Sequence, residues 1–296
     1  MKKRILQFTI FILSIVGISF CYSDISPYPF TKSSLLWEIE GPSIPKGSYL
    51  FGTMHLVEKD YFYFPKNLEK IVSKTDLLVM EIAGIPNEAE VLKYITLKEG
   101  SLFDFFTAEQ TDSIFVWARS KMGMSEQLFR TSLSKMKPFV LVQLATQLQY
   151  LGKTESYEMK FQSIAEKKKM AQKGLETIEF QMSLFDNLKK SEQAEMVMQE
   201  IRDSKKSDAQ LKQIQQLYKR QNIDSLYMLI QEGEEMLTLK QSDFLEKRNH
   251  TWIPKIIEML HENKCFIAVG AGHLGGKDGI IRLLQKEGYT LTPVEF

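Results

Sequence analysis

The chain opens on a basic cluster, Met1-Lys2-Lys3-Arg4. An apolar run from Ile5 to Phe20 follows, then a polar, proline-bearing stretch from Asp24. That order of basic, apolar and polar segments predicts a secretory signal peptide over residues 1–23. Past it, Ser34–Glu40 and Ser48–Gly52 read as two strands joined by the turn Pro45-Lys46-Gly47, an arrangement that resembles a hairpin. Pro65–Lys74 places Leu68, Ile71 and Val72 on one helical face. Leu77–Met80 is a continuous apolar run of the kind a strand covered on both faces carries, and it leads into Glu81. Phe51–Ala83 therefore has the outline of a strand-helix-strand unit. From about residue 87 to about residue 262 the pattern turns helical, rich in Leu, Met, Gln, Lys and Glu. Breaks are expected at Phe103–Phe106 and Lys137-Pro138-Phe139, and a helix end across Ala165–Ala171. A short edge strand is expected at Gly174–Thr177, a loop at Ser204–Asp208, and a kink or restart at Pro254. The pattern closes as it began, with a strand at Cys265–Val269, a helix at Gly279–Glu287 and a strand at Tyr289–Val294. The expected class is α/β, with residues 24–296 as the folded domain and a large helical insertion in the middle of the chain.

Composition changes this picture little. Hydrophobic residues make up 44% and charged residues 25%, and the net charge is +1. Nothing in that balance suggests a nucleic-acid partner, which calls for a basic excess on one face. Lys167-Lys168-Lys169 reads as a solvated helix face. The expected location is outside the cytoplasm, in the periplasm or cell envelope. Two other readings of the leader stay open: a single membrane anchor, or a lipoprotein acylated at Cys21, against which the bulky Phe20 counts. Membrane contact is expected only through that leader or lipid. Removal of the leader leaves Cys265, in an apolar strand, as a single buried thiol, so the fold is expected to stand without disulfides.

Candidate chemistry gathers at two matching places. Tyr49-Leu50-Phe51-Gly52-Thr53-Met54-His55 and Ile267-Ala268-Val269-Gly270-Ala271-Gly272-His273 each run an apolar strand into Gly-x-x-His. Glycine is expected there to let the chain turn sharply after the strand without a Cβ clash. Sites in open α/β sheets form at the carboxyl ends of strands, so the two histidines can meet despite lying 218 positions apart (273 − 55). Histidine is both the commonest metal ligand and a base near neutral pH. Glu81, at the end of a buried strand, is costly unless paired, hydrogen-bonded or on a metal; Glu176 sits similarly after Gly174-Leu175. Arg248-Asn249 lies in a helical stretch, where the arginine suits a carboxylate or an oxyanion if it does not simply face water. His250 and His261 lack a glycine turn and read as surface residues. Met196, Met198, Phe103, Phe105 and Phe106 read as packing.

Taken in order, Leu50–His55, Leu78–Glu81, Gly174–Thr177 with Gln181, Arg248-Asn249 and Val269–Leu274 resemble the TraB/GumN family, which includes the TIKI proteins. The resemblance runs from about Leu36 to Phe296. It implies a central mixed sheet of the erythromycin-esterase/ChaN-like type and, through the TIKI members, a metal-dependent peptidase acting on a peptide or protein substrate. Carried over, His55, Glu81 and His273 are the expected metal ligands, for Mn, Co or Zn, with Glu176, Arg248 and Asn249 as supporting catalytic residues. Where members often carry Gly-x-Asp, this chain reads Ser156-Tyr157-Glu158, and that departure keeps Glu158 out of the expected site. Two alternatives remain open at this point. One is a metal-free hydrolase in which a histidine activates water directly; the other is a non-catalytic exported protein that binds a metal or haem.

Overall fold

A computed structural model of the chain describes residues 30, 32–55, 57–84, 88–202, 204–236 and 245–296. The expected leader 1–23, with Cys21, lies outside the described residues. Among the described residues no helix is long and apolar enough to cross a membrane.

The chain is mixed α/β. Among the described residues eight strands form: β1 (Leu36–Glu40), β2 (Ser48–Thr53), β3 (Val57–Glu58), β4 (Leu77–Ile82), β5 (Thr154–Glu155), β6 (Ala171–Glu176), β7 (Cys265–Gly270) and β8 (Thr290–Val294). Six make one mixed sheet in the order β6-β4-β7-β2-β1-β8, and β3 pairs with β5 apart from it. β6, β4, β7 and β2 run parallel, whereas β1 pairs antiparallel with both β2 and β8. The expected hairpin is thus β1–β2, with Leu36 opposite Phe51. The two strands read as continuous apolar runs, β4 and β7, are central neighbours, and Leu77–Val79 and Cys265–Val269 are all buried. A parallel strand screened by helices needs apolar side chains on both faces, which is why those runs do not alternate.

By internal packing the chain divides into two compact units. One holds the sheet, the helices Lys66–Val72, Tyr157–Lys168, Ser204–Lys219, Ile223–Met236, Lys247–Glu262 and Ile280–Lys286, and a core built around Phe51, Phe161, Phe266 and Trp252. The other is helical and is made of two separated stretches, Ile85–Leu151 and Ile178–Ser204. Its core contains Phe115, Phe129, Leu141, Val197 and Met198, with Phe103, Phe106 and Met196 packed against it, while Lys190 Nζ lies 5.2 Å from the Phe105 ring centroid.

Two local expectations change. Ser204–Asp208 is the start of the Ser204–Lys219 helix, and no loop spans it. A polar stretch of Lys and Ser can be helical as readily as coiled once the next turns bury Ile214 and Tyr218. Of the kink or restart expected at Pro254, the restart does not occur, since the helix Lys247–Glu262 runs through it. Proline removes one N–H, and a helix that buries Trp252, Ile253, Ile256, Met259 and Leu260 tolerates that loss. Cys265 is a buried strand thiol as read, and burial pushes its pKa up to about 12.

Candidate active site

Parallel strands bring their carboxyl ends to one edge, and the register sets what meets there. Thr53 lies opposite Gly270, and Ile82 lies opposite Glu176. His55 stands two residues past β2, Glu81 is the penultimate residue of β4, Glu176 ends β6, and His273 stands three residues past β7.

The glycines serve packing more than turning. Neither Gly52 nor Gly270 has positive φ. A Cβ on Gly52 would lie 3.0 Å from Leu274 Cδ2 and 3.1 Å from Ala271 Cα, so glycine is needed where the chain leaving β7 crosses β2. A Cβ on Gly270 would lie 3.3 Å from Glu81 Oε1, the atom that accepts the Gly270 N–H at 2.8 Å. Tyr218 pins the end of β2 by donating to the Gly52 carbonyl at 2.7 Å.

Arg248 is 1% exposed, so the surface alternative for it is excluded. Its Nη2 donates to Glu81 Oε2 at 2.6 Å and also to Glu176 Oε1, while Nε donates to Glu176 Oε2 at 3.1 Å. The guanidinium lies 4.7 Å from the Trp252 ring centroid, and Trp252 Nε1 donates to Glu176 Oε2 at 3.1 Å. Burial by itself raises the Glu81 pKa, but the Arg248 charge reverses this and holds the carboxyl well below the usual range.

His273 is 2% exposed and lies with its ring 4.4 Å from that of Trp252. The Asn249 amide assigns its tautomer. Asn249 Nδ2 donates to the carbonyls of Asp278 (2.8 Å) and His273 (3.3 Å), which leaves Oδ1 facing His273 Nδ1 at 2.6 Å. An oxygen there accepts, so Nδ1 carries the proton and Nε2 accepts from Arg248 Nη1 at 3.3 Å. Burial, and after it the Arg248 charge, depress the His273 pKa to about 3, so the ring is neutral at physiological pH.

His55 is different in kind. Its side chain is 24% exposed, and Nδ1 lies 2.8 Å from Glu158 Oε1. Burial favours the neutral ring, but the Glu158 carboxylate outweighs it and raises His55 to about 9. Burial likewise opposes the charged carboxylate of Glu158, and His55 overrides it to hold that group at about 2. Glu158 sits in the first turn of its helix, whose N-cap Ser156 accepts from the Met159 N–H and donates to Glu158 Oε2 at 2.8 Å.

All six expected residues therefore gather around one sheet edge, in two sets. Glu81, Glu176, Arg248, Asn249 and His273 form a continuous buried network; His55 joins Glu158 and feels the network through charge. Glu158 and Trp252 are the members that sequence reasoning passes over. Trp252 is four residues after Arg248, hence on the same helical face, and that spacing is a usable signal. Glu158 carries none beyond the departing motif. His250 and His261 are exposed.

A divalent ion on His55, Glu81 and His273 is what the resemblance implies, and the donors do not fit one as they stand. Both Glu81 oxygens are engaged, by Gly270 N–H and by Arg248; His273 Nε2 faces the guanidinium; His55 Nδ1 is on Glu158. Among the described residues no three His, Cys, Asp or Glu side chains are placed to hold a metal ion.

No curated protein and no solved structure matches the chain. The sequence model of the TraB/PrgY/gumN family does match, over residues 35–293, which takes in every strand but the last residue of β8 and every residue of the site. The chain belongs to the TraB/PrgY/gumN family.

Proposed function

We propose that this protein is a hydrolase in which His55, backed by Glu158, carries protons between water and the leaving group. The observation that carries the reading is the partly exposed His55–Glu158 pair beside a buried, fully engaged polar network. In its neutral form His55 takes a proton from a water attacking an acyl carbon, then returns it to the leaving group as the adduct collapses. Glu158 stabilises the imidazolium between the two steps and orients the ring, as the carboxylate does in a Ser-His-Asp triad. Glu81, held ionised by Arg248, tunes the field and does not move protons. With His55 at about 9, roughly one ring in a hundred is neutral at pH 7, so turnover rises with pH toward 9.

Peptides are the proposed substrate class, on the strength of the TIKI resemblance, which also supports an erythromycin-esterase/ChaN-like sheet carrying a helical insertion. Export to the periplasm or cell envelope is proposed from the leader. The test is hydrolysis of peptide and ester libraries by the wild type, His55→Ala and Glu158→Gln. Turnover that persists in both variants, or its absence in the wild type from about pH 6 to about pH 10, sinks the reading. Turnover lost on chelation and restored by Mn, Co or Zn replaces it with the metal-dependent one, and tight ligand binding without turnover replaces it with the binding protein.

A further inference from the structure

We infer that the guanidinium of Arg248 is the resident cation of this site, standing where Glu81, Glu176 and His273 would otherwise hold a divalent metal ion. The inference is independent of whether His55 turns over a substrate, because it concerns what holds the buried network together.

Three donors converge on one end of one side chain. Glu81 Oε2 lies 2.6 Å from Nη2, Glu176 Oε1 is on the same nitrogen, and His273 Nε2 lies 3.3 Å from Nη1. Two carboxylates and an imidazole are a common donor set for a first-row divalent ion. The imidazole is prepared as a metal-bound histidine is prepared: its far nitrogen donates to a fixed oxygen, Asn249 Oδ1 at 2.6 Å, which turns the lone pair of Nε2 inward. Glu81 is anchored by the Gly270 N–H and Glu176 by the Trp252 indole, so neither carboxylate depends on Arg248 alone for its position. The Trp252 ring lines both Arg248 and His273 and would remain if the guanidinium were removed. A metal ion draws such ligands to about 2.0–2.2 Å, and a guanidinium holds them at hydrogen-bond length instead. Arginine thus supplies the positive charge that two buried carboxylates require, and by filling the space it excludes an ion.

The test is metal uptake without substrate, using Mn(II), Co(II) and Zn(II) singly, by calorimetry and by metal content after desalting. Wild type, His273→Ala, Arg248→Lys, Arg248→Ala and Arg248→Ala/His273→Ala are compared. Arg248→Ala is expected to take up one equivalent at least ~100-fold more tightly than the wild type. That uptake should raise its thermal midpoint and disappear when His273→Ala is added, while Arg248→Lys should behave as the wild type. Should Arg248→Ala fail to fold alone, it is expected to fold when one of the three ions is present, read by circular dichroism. A wild type that holds one equivalent and loses it in His273→Ala overturns the inference. So does a folded Arg248→Ala that binds no better than the wild type, or an Arg248→Ala that folds with none of the three ions.

Discussion

Replacing Glu158 with Gln isolates the charge that distinguishes the two histidines. Glutamine keeps an oxygen in reach of His55 Nδ1 and removes the negative charge. The rise of His55 from its ordinary 6.5 to about 9 corresponds to ~3 kcal/mol of preference for the imidazolium. That exceeds the at most about 1 kcal/mol of an exposed ion pair, consistent with side chains only 24% and 20% exposed. Glu158 is lowered by the same interaction seen from the other partner, so the two shifts are not added. Without the carboxylate, burial is left as the main influence, and it lowers a histidine. The His55 midpoint in Glu158→Gln is therefore expected at or below the ordinary value. The assay is a pH series of histidine ring resonances, with His55→Gln to identify the signal. Stability follows with a definite sign. A pKa raised on folding contributes fully below about 6.5 and fades as pH rises through about 9. Chemical denaturation should accordingly show the wild type losing up to ~3 kcal/mol over that window, and Glu158→Gln losing little. A wild-type His55 that titrates near 6.5, or a variant midpoint that stays near 9, refutes the account.

Three further outcomes are expected. His273, depressed to about 3, has the opposite sign: the unfolded chain binds its proton first, so stability falls as pH drops from about 6.5 toward 3, and His273→Asn should flatten that limb of the denaturation profile. Gly52→Ala should cost about 1–3 kcal/mol by thermal melting, because the added carbon meets Ala271 backbone at 3.1 Å; an unchanged midpoint would show that the crossing strand yields freely. Trp252→Phe retains a ring under His273 and loses the indole donor to Glu176, and a loss of about 1–3 kcal/mol is expected by denaturant titration.

The parts of the fold carried by nearest neighbours were legible in the sequence. β4 and β7 announce themselves as unbroken apolar runs, and each Gly-x-x-His segment begins within the last two residues of β2 or β7. Glu81 and Glu176 were legible as strand-end charges that burial would force into company, whereas Arg248 read as readily as a solvated helix arginine and only the fold shows it buried. The role of the glycines was misread, because a close approach between Gly52 and residues 271–274 is a fact of packing that no local pattern encodes. Glu158 was named and then left out of the expected site for a related reason. Its partner His55 is about a hundred positions away, and the link passes through a helix N-terminus capped by Ser156. Pro254 and Ser204–Asp208 show propensity yielding to the burial of neighbouring residues.

The order of strands has a consequence for how the chain is built. β7 lies between β4 and β2, yet it is made long after both. Until residues 265–270 arrive, β4 and β2 have no common neighbour, and two central edges stand open in a growing chain. The pairing that joins them spans some two hundred residues, which favours slow closure and a lasting demand for something to shield those edges. Glu81 meets the Gly270 amide, and Arg248 meets His273, only in that same final step. A polypeptide halted before residue 265 therefore lacks the strand that closes the sheet and the site together, so partial synthesis or clipping ahead of that strand should yield aggregation-prone material with no assembled site.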